Sequence, residues 1–417
     1  MNDPRRPAVD VRMRGFTART LVETAVRWID EHVHTLDAEV VPLGELHGRV
    51  LAGEARSTMN VPPFDRSAMD GYALRGAETV GASEYNPLAL PVRGEALPGR
   101  PHPGRVEAGT AVRIMTGAPM PDGADAVVPA EFATERDGTV EITAPLAPGK
   151  NVGRCAEDVS VGSVLLAAGR RLRAQDVGLL ASVGIDRAEV VRRPRVRIIV
   201  TGDELASPGE PKGLHQIYDA NSSMLQGLLL RDGGALESLC KIRDDRAAIR
   251  EAMRAPEADV LLISGGSSVG AEDHAPGLLA EAGELAVHGV AMRPSSPAGF
   301  GRIGSTFVFL LPGNPVSCLC AYDFFAGRAL RRLGGRAADW PHRTVRATLS
   351  RKIASAVGRV DYCRVRVSGA EAEPLALSGA SILSSTTRAD GFVIVQAESE
   401  GYGAGSEVTV HLYEPLC

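Results

Sequence analysis

The sequence predicts a multidomain α/β protein: a central parallel-sheet α/β domain, N-terminal helical and β subdomains, and a C-terminal β domain. Three observations carry that expectation. A length of 417 residues exceeds what one hydrophobic core usually serves, and 44% hydrophobic content supplies apolar side chains for several. Between 195 and 333, short uncharged runs alternate with helical patterns, the signature of strands joined by crossover helices. At 85–150 and again beyond 342, short alternating segments sit among Pro and Gly, as in small β modules.

Residues 1–15 are charged and proline-bearing and read as a lead-in. From Thr17 a helix is predicted, because Leu21, Ala25, Ile29 and Val33 recur at its period. A shorter helix is expected over 43–51. Pro62 and Pro63 bar regular structure where they stand, and Asp70-Gly71 is a strong turn signal. Strands are expected at 111–115 and 139–143, with a hydroxyl-bearing turn at Thr116. The segment Gly153-Arg-Cys-Ala-Glu-Asp158 places Arg154 near two carboxylates, ahead of a helix over 174–183.

In the central region, a strand at 196–200 ends in Thr201-Gly-Asp-Glu204. Asn221 reads as the cap of a helix that stops at Gly233-Gly234. A strand at 235–239 and a helix at 246–253 follow. Val260 to Ile263 are four apolar residues in a row, the mark of a strand buried on both faces. A strand at 307–311 leads through Pro312-Gly-Asn-Pro-Val-Ser317 into an apolar helix reaching about 333. C-terminal strands are expected at 364–367, 392–395 and 408–412.

The chemistry concentrates after the run at 260–263. Ser264-Gly-Gly-Ser-Ser-Val-Gly270 lets a ligand approach the backbone, and Glu272 and Asp273 follow at once. Glycines and hydroxyls suit an oxyanion, whereas carboxylates repel one. Both in one loop make chemical sense with a divalent cation between carboxylate and phosphate; a glycine-rich turn also forms for conformational reasons alone. Three such loops follow three buried strands, the edge where open α/β sheets bind ligands. Glu204, Asp273 and Asn314 are expected on that rim.

A net charge of −5 argues against a protein whose main work is coating nucleic acid or anionic membrane. No apolar run approaches the ~20 residues of a membrane span, and the first residues lack the apolar core of a secretory signal. A cytoplasmic protein is expected. Its six cysteines show no framework spacing and read as reduced thiols.

Taken together, six segments resemble one family, MoeA, the molybdopterin molybdenumtransferases, also found as the C-terminal part of gephyrin. They are Pro63-Phe-Asp-Arg-Ser-Ala-Met-Asp-Gly-Tyr-Ala73, Met115-Thr-Gly-Ala-Pro-Met-Pro-Asp-Gly-Ala-Asp125, Gly153-Arg-Cys-Ala-Glu-Asp158, Thr201-Gly-Asp-Glu-Leu205, the 264–270 loop with Asp273, and Pro312-Gly-Asn-Pro-Val-Ser317. They stand in family order across most of the chain. The resemblance implies a homodimer that takes adenylylated molybdopterin and molybdate, inserts molybdenum and releases AMP with Mg²⁺. It implies catalytic roles for Asp70, Thr116, Asp158, Glu204 and Asp273, and Mg²⁺ ligands in Glu204, Asp244 and Asp273. Substrate contacts are implied for Ser264, Gly265, Gly266, Ser267, Ser268, Gly270, Arg293, Pro312, Gly313, Asn314, Ser317, Arg364 and Ser381. It further implies an N-terminal dimerisation domain at 1–55 with 155–192, an inserted β subdomain at 56–154, a molybdopterin-binding α/β domain at 193–338 and a β-barrel-like domain at 339–417. A molybdoenzyme or cofactor carrier would be the downstream partner.

The chain also departs from the family pattern. Arg293-Pro-Ser-Ser-Pro297 stands where many members read Lys-Pro-Gly-Lys-Pro, so Ser296 replaces a lysine. A further family lysine falls on Gly289, and the serine that helps hold molybdate falls on Ala380, beside Ser381. Fewer cations favour a second reading, a catalytically weak carrier that holds molybdopterin for a partner. The retained acids favour the enzyme.

Overall fold

Strand Arg195–Thr201 lies within a six-stranded sheet, flanked by Ala235–Ile242 on one side and Val260–Ser264 on the other, both parallel to it. Thr306–Leu311 continues the parallel set beside Val260–Ser264. The sheet then ends in two antiparallel strands, Gly299–Ile303 and Glu284–His288. This antiparallel edge is an addition to the all-parallel expectation. Its two strands carry Gly299, Gly301, Glu284 and His288, residues that weaken a strand signal in sequence.

These positions come from a computed structural model that describes residues 16, 19–254, 258–266, 273–376 and 379–414. Ser267, Ser268 and Gly270 lie outside the described residues. The chain divides into two compact units. One holds the described residues up to Glu39, Gly48–Val50 and those from Val191 onward; the other holds Val40–His47 and Leu51–Val190.

In the first unit, side chains alternate across the sheet as a period of two requires. Val196, Ile198, Val200, Val260, Leu262 and Phe309 enter one buried cluster. Ile199, Leu261, Ile263, Val308 and Leu310 enter another on the opposite face. Helix Arg246–Arg254 gives Ile249 and Met253 to the second cluster, and helix Ala275–Ala282 gives Leu278 and Leu279. Helix Val22–His32 gives Val22, Ala25 and Ile29 to the first. The apolar segment after Thr306–Leu311 is helical from Pro315 to Leu333, with a π turn at Tyr322–Ala326.

Beyond it, strands Val360–Ser368, Glu371–Ala376, Thr344–Leu349, Glu407–Leu412 and Gly391–Val395 pair in that order, and the last pairs back to the first. The ring closes on an aliphatic core that includes Leu349, Val365, Val393 and Val410. A closed ring of this kind leaves little edge for stray pairing. Met292–Arg293, a short strand from the central region, adds in parallel to Val360–Ser368.

In the second unit, a six-stranded sheet runs Ala126–Pro129, Gly71–Leu74, Ala111–Ile114, Leu88–Ala96, Thr139–Ile142, Ala133–Arg136. Helix Ala174–Ser182 packs into a separate cluster with Leu46, Leu166, Leu172 and Val190. The helix expected over 43–51 is a correction: only a 3₁₀ turn, Leu43–Glu45, forms there. Gly44 and Gly48, the latter at φ +77°, make a continuous helix costly across this stretch.

Candidate functional site

The carboxyl ends of Arg195–Thr201, Val260–Ser264 and Thr306–Leu311 open onto a cavity of about 820 Å³. Glu204, Asp244 and Asp273 line it, together with Ser264, Gly265, Gly266, Pro312, Gly313, Asn314 and Ser381. All belong to the first unit.

The wall is built by backbone fit. Gly265 has φ +100°, and a Cβ there would stand 2.5 Å from Thr201 O and 2.7 Å from Thr201 Oγ1. No other residue type fits without parting the two strand ends. Asn221 ties the loops together. It is the first residue of helix Asn221–Asp232, whose N-cap is Ala220, so the expected cap role is a correction. Its Nδ2 instead donates to Ser264 Oγ at 2.9 Å and to Gly313 O at 2.7 Å. Ser264 Oγ lies 3.8 Å from Cys318 Sγ, and burial pushes that thiol up to about 12, so it stays protonated at neutral pH.

Charge is distributed unevenly. Asp219 joins Glu204, Asp244 and Asp273 in the lining, and its carboxylate accepts from the backbone N–H and the hydroxyl of Ser222. Among the described lining residues there are thus four carboxylates and no lysine or arginine. No three His, Cys, Asp or Glu side chains among the described residues form a ready-made metal group. Mg²⁺ does not require one: it commonly takes one or two carboxylates, completing its shell with water and substrate phosphate oxygens. The donor chemistry of this acid-lined, glycine-walled cavity fits such a shared site. No helix among the described residues is long and apolar enough to cross a membrane.

Other candidates lie elsewhere. Arg293 is outside the cavity lining and donates from Nη2 to Asp361 Oδ2 at 2.5 Å. Asp361 is fully buried; it also accepts from Ser355 Oγ at 2.8 Å and forms an ion pair with Arg359 at 3.1 Å. Arg364 is buried within the C-terminal ring, and Ser317 offers its carbonyl to Ser295 Oγ at 2.5 Å. Gly289, where a family lysine was expected, stands at φ +83°, and a Cβ there would lie 2.4 Å from the Phe16 ring. An aromatic side chain fills the space.

In the second unit, Asp70 and Thr116 meet where Gly71–Leu74 pairs with Ala111–Ile114. Asp70 Oδ1 accepts from the Thr116 N–H and the Thr116 hydroxyl, each at 2.7 Å. The backbone hydrogen bond first, and the hydroxyl second, hold the Asp70 carboxyl below its ordinary range. Asp158 is exposed, and its backbone N–H donates to Val61 O at 3.1 Å.

Thr201, Tyr218, Asp219 and Asn221 also line the cavity and were not among the expected site residues. For Asp219 and Asn221 the signal that could have found them is Asp219-Ala-Asn221, two polar residues at a helix start that needs at most one as a cap.

The fold and this cavity define a multidomain α/β protein with a ligand site at the carboxyl edge of its parallel strands. Family models match three stretches: "MoeA N-terminal region (domain I and II)" at 20–184, "Probable molybdopterin binding domain" at 197–332, and "MoeA C-terminal region (domain IV)" at 346–413. Among curated relatives, molybdopterin molybdenumtransferase 2 of Mycobacterium tuberculosis is 37% identical over 352 residues, 82% of this chain and 86% of that protein. Molybdopterin molybdenumtransferase of Haemophilus influenzae is 32% identical over 408 residues, 95% and 99% of the two chains. The crystal structure of the molybdopterin biosynthesis MoeA protein from Pyrococcus horikoshii superposes with a TM-score of 0.79 at 33% identity, covering 95% of this chain and 100% of that one. The chain belongs to the MoeA family, and it is an enzyme of molybdenum cofactor biosynthesis.

Proposed function

We propose that the protein inserts molybdenum from molybdate into adenylylated molybdopterin and releases AMP, in a reaction that depends on Mg²⁺. The observation that carries this reading is the cavity with four carboxylates and no basic residue among its described lining. A pyrophosphate-bearing substrate is repelled by such a wall unless a cation stands between them. Glu204, Asp244 and Asp273 would hold Mg²⁺, which when bound neutralises phosphate charge and polarises the bond to be broken. Gly265, Gly266 and Gly313 admit the substrate to the backbone, and Ser381 and Asn314 offer hydrogen bonds at the same wall. Asp70, Thr116 and Asp158 keep the catalytic roles that family membership supports, with Asp70 ionised at neutral pH.

Release of AMP from adenylylated molybdopterin is expected with Mg²⁺ and molybdate together, and not with either omitted. Tight substrate binding with no AMP under any metal condition would favour the carrier reading instead.

A cytoplasmic homodimer belongs to the same proposal, on family grounds. Light scattering is expected to return twice the 43.9 kDa chain mass. A concentration-independent monomer with full activity would remove the dimer from the proposal.

A further inference from the structure

Within the second unit, segment 61–70 is hydrogen-bonded to segment 116–120 on one side and to segment 151–159 on the other. Asp70, Thr116 and Asp158 stand one on each of the three. On the first side, Gly117 N–H donates to Ser67 O at 2.8 Å and Met120 N–H to Asp65 O at 2.9 Å. On the second, Arg66–Ser67 pairs antiparallel with Val152–Gly153. Asp65 touches both neighbours: its carbonyl meets Met120, and its carboxylate crosses to the turn that ends in Asp158. There Oδ1 accepts from Cys155 N–H at 2.8 Å and Oδ2 from Arg154 Nη1 at 2.6 Å. The Cys155 N–H first, and the Arg154 guanidinium second, hold the Asp65 carboxyl below its ordinary range. The Asp65–Arg154 pair is solvent-exposed, and such pairs contribute little by themselves. The bond to the Cys155 backbone is the part that fixes geometry.

The turn needs such a clasp. Ala156 has φ +62°, a left-handed conformation that disfavours any residue with a Cβ. Strain of this kind persists only where the surroundings over-determine it, and it clusters at functional sites. Here the two N–H groups ahead of Ala156 are both held by carboxylates: Arg154 N–H by Glu157 Oε2 at 2.9 Å, and Cys155 N–H by Asp65. Ala156 N–H itself donates to Pro62 O at 3.0 Å. Asp158 follows two residues later. We propose that Asp65 is a positioning residue whose carboxylate fixes the 154–158 turn, and through it the placement of Asp158, for the reaction given above. The proposal rests on that function and on a role for Asp158 in it. Asp65 acts from behind the turn, without contact to the reacting atoms.

The test is steady-state AMP release by the full chain, with the thermal midpoint measured alongside. Asp65→Ala is expected to lower kcat about 10²-fold, the scale of a misplacement of about 1 Å, with KM and the thermal midpoint little changed. Asp65→Asn keeps an acceptor for Cys155 N–H and is expected to keep most of the rate. Adding Ala156→Gly to Asp65→Ala should return part of it, because glycine takes a positive φ without steric cost. Asp65→Ala combined with Asp158→Asn should be little slower than Asp158→Asn alone, since both act through one group. A normal rate in Asp65→Ala, additive losses in the double variant, or a rate that falls only as the thermal midpoint falls would overturn the proposal. So would Asp65→Asn as slow as Asp65→Ala, which would make the charge itself a participant. Wild type that releases no AMP would sink the function and this inference with it; an active wild type with any of those results overturns the inference alone.

Discussion

Asp273→Asn is expected to lower the rate of AMP release by roughly 10²–10³-fold, the scale of removing one electrostatic element from an active site. The exchange keeps side-chain size and most hydrogen-bonding capacity and removes the charge alone. Asp273 lines the cavity with Glu204 and Asp244. The helix that follows has His274 as its N-cap, with no side-chain cap hydrogen bond, so Asp273 stands one residue outside the capping position. Were its part merely a local hydrogen bond, asparagine would serve almost as well. Mg²⁺ affinity and turnover should therefore fall together, thermal unfolding should stay put, and raised Mg²⁺ should restore part of the rate. Near-normal turnover by this variant would leave the metal to Glu204 and Asp244.

Asp232→Ala is expected to cost about 3–5 kcal/mol of folding stability in urea unfolding, the range for removing one partner of a buried ion pair. Asp232, at the end of helix Asn221–Asp232, accepts from Arg331 at 2.9 Å and from Arg231 at 2.8 Å. Arg231 also reaches Asp323 on the π turn at 2.6 Å. Two carboxylates thus balance two guanidinium groups at the join between the helices. Truncation leaves Arg331 buried with a carbonyl, Ala338 O at 3.2 Å, as its remaining partner here. Asp232→Ala combined with Arg331→Met should recover much of the loss, because an apolar pair of similar volume needs no compensating charge. A single-variant loss below ~1 kcal/mol, the scale of an exposed pair, would show that the network contributes little.

Much of the central sheet was legible because both of its faces are covered. Val260–Ser264 and Thr306–Leu311 carry no charge, and each is followed at once by a loop former, Gly265 or Pro312. Such runs announce a buried strand and its loop together. The cavity's position followed, since the carboxyl edge of parallel strands is fixed by topology. The antiparallel edge was hidden by its own composition, and the π turn at Tyr322–Ala326 leaves no periodic trace within an apolar run. Asn221 was misread for a different reason. A polar residue at a helix start satisfies local rules equally well as a cap or as a bridge, and only the approach of Ser264 and Gly313, 43 and 92 residues away, decides between them. For Arg293 the sequence shows a cation, but its pairing with Asp361, 68 residues on, is visible only in the fold.

Met292–Arg293 has a bearing on how this architecture can be divided. That short strand leaves the central region to lie beside Val360–Ser368, with Met292 opposite Val360 and Arg293 opposite Asp361. The carboxylate of Asp361 is then enclosed by side chains from both sides of the junction. Family boundaries at 332 and 346 separate the sequence into modules, yet the backbone is stitched across them. A chain cut there would strip the C-terminal ring of an outer strand and leave a buried carboxylate without one of its two arginines. Recombination among relatives would have to carry 292–293 together with 360–361, two patches distant in sequence and inherited as a single joint.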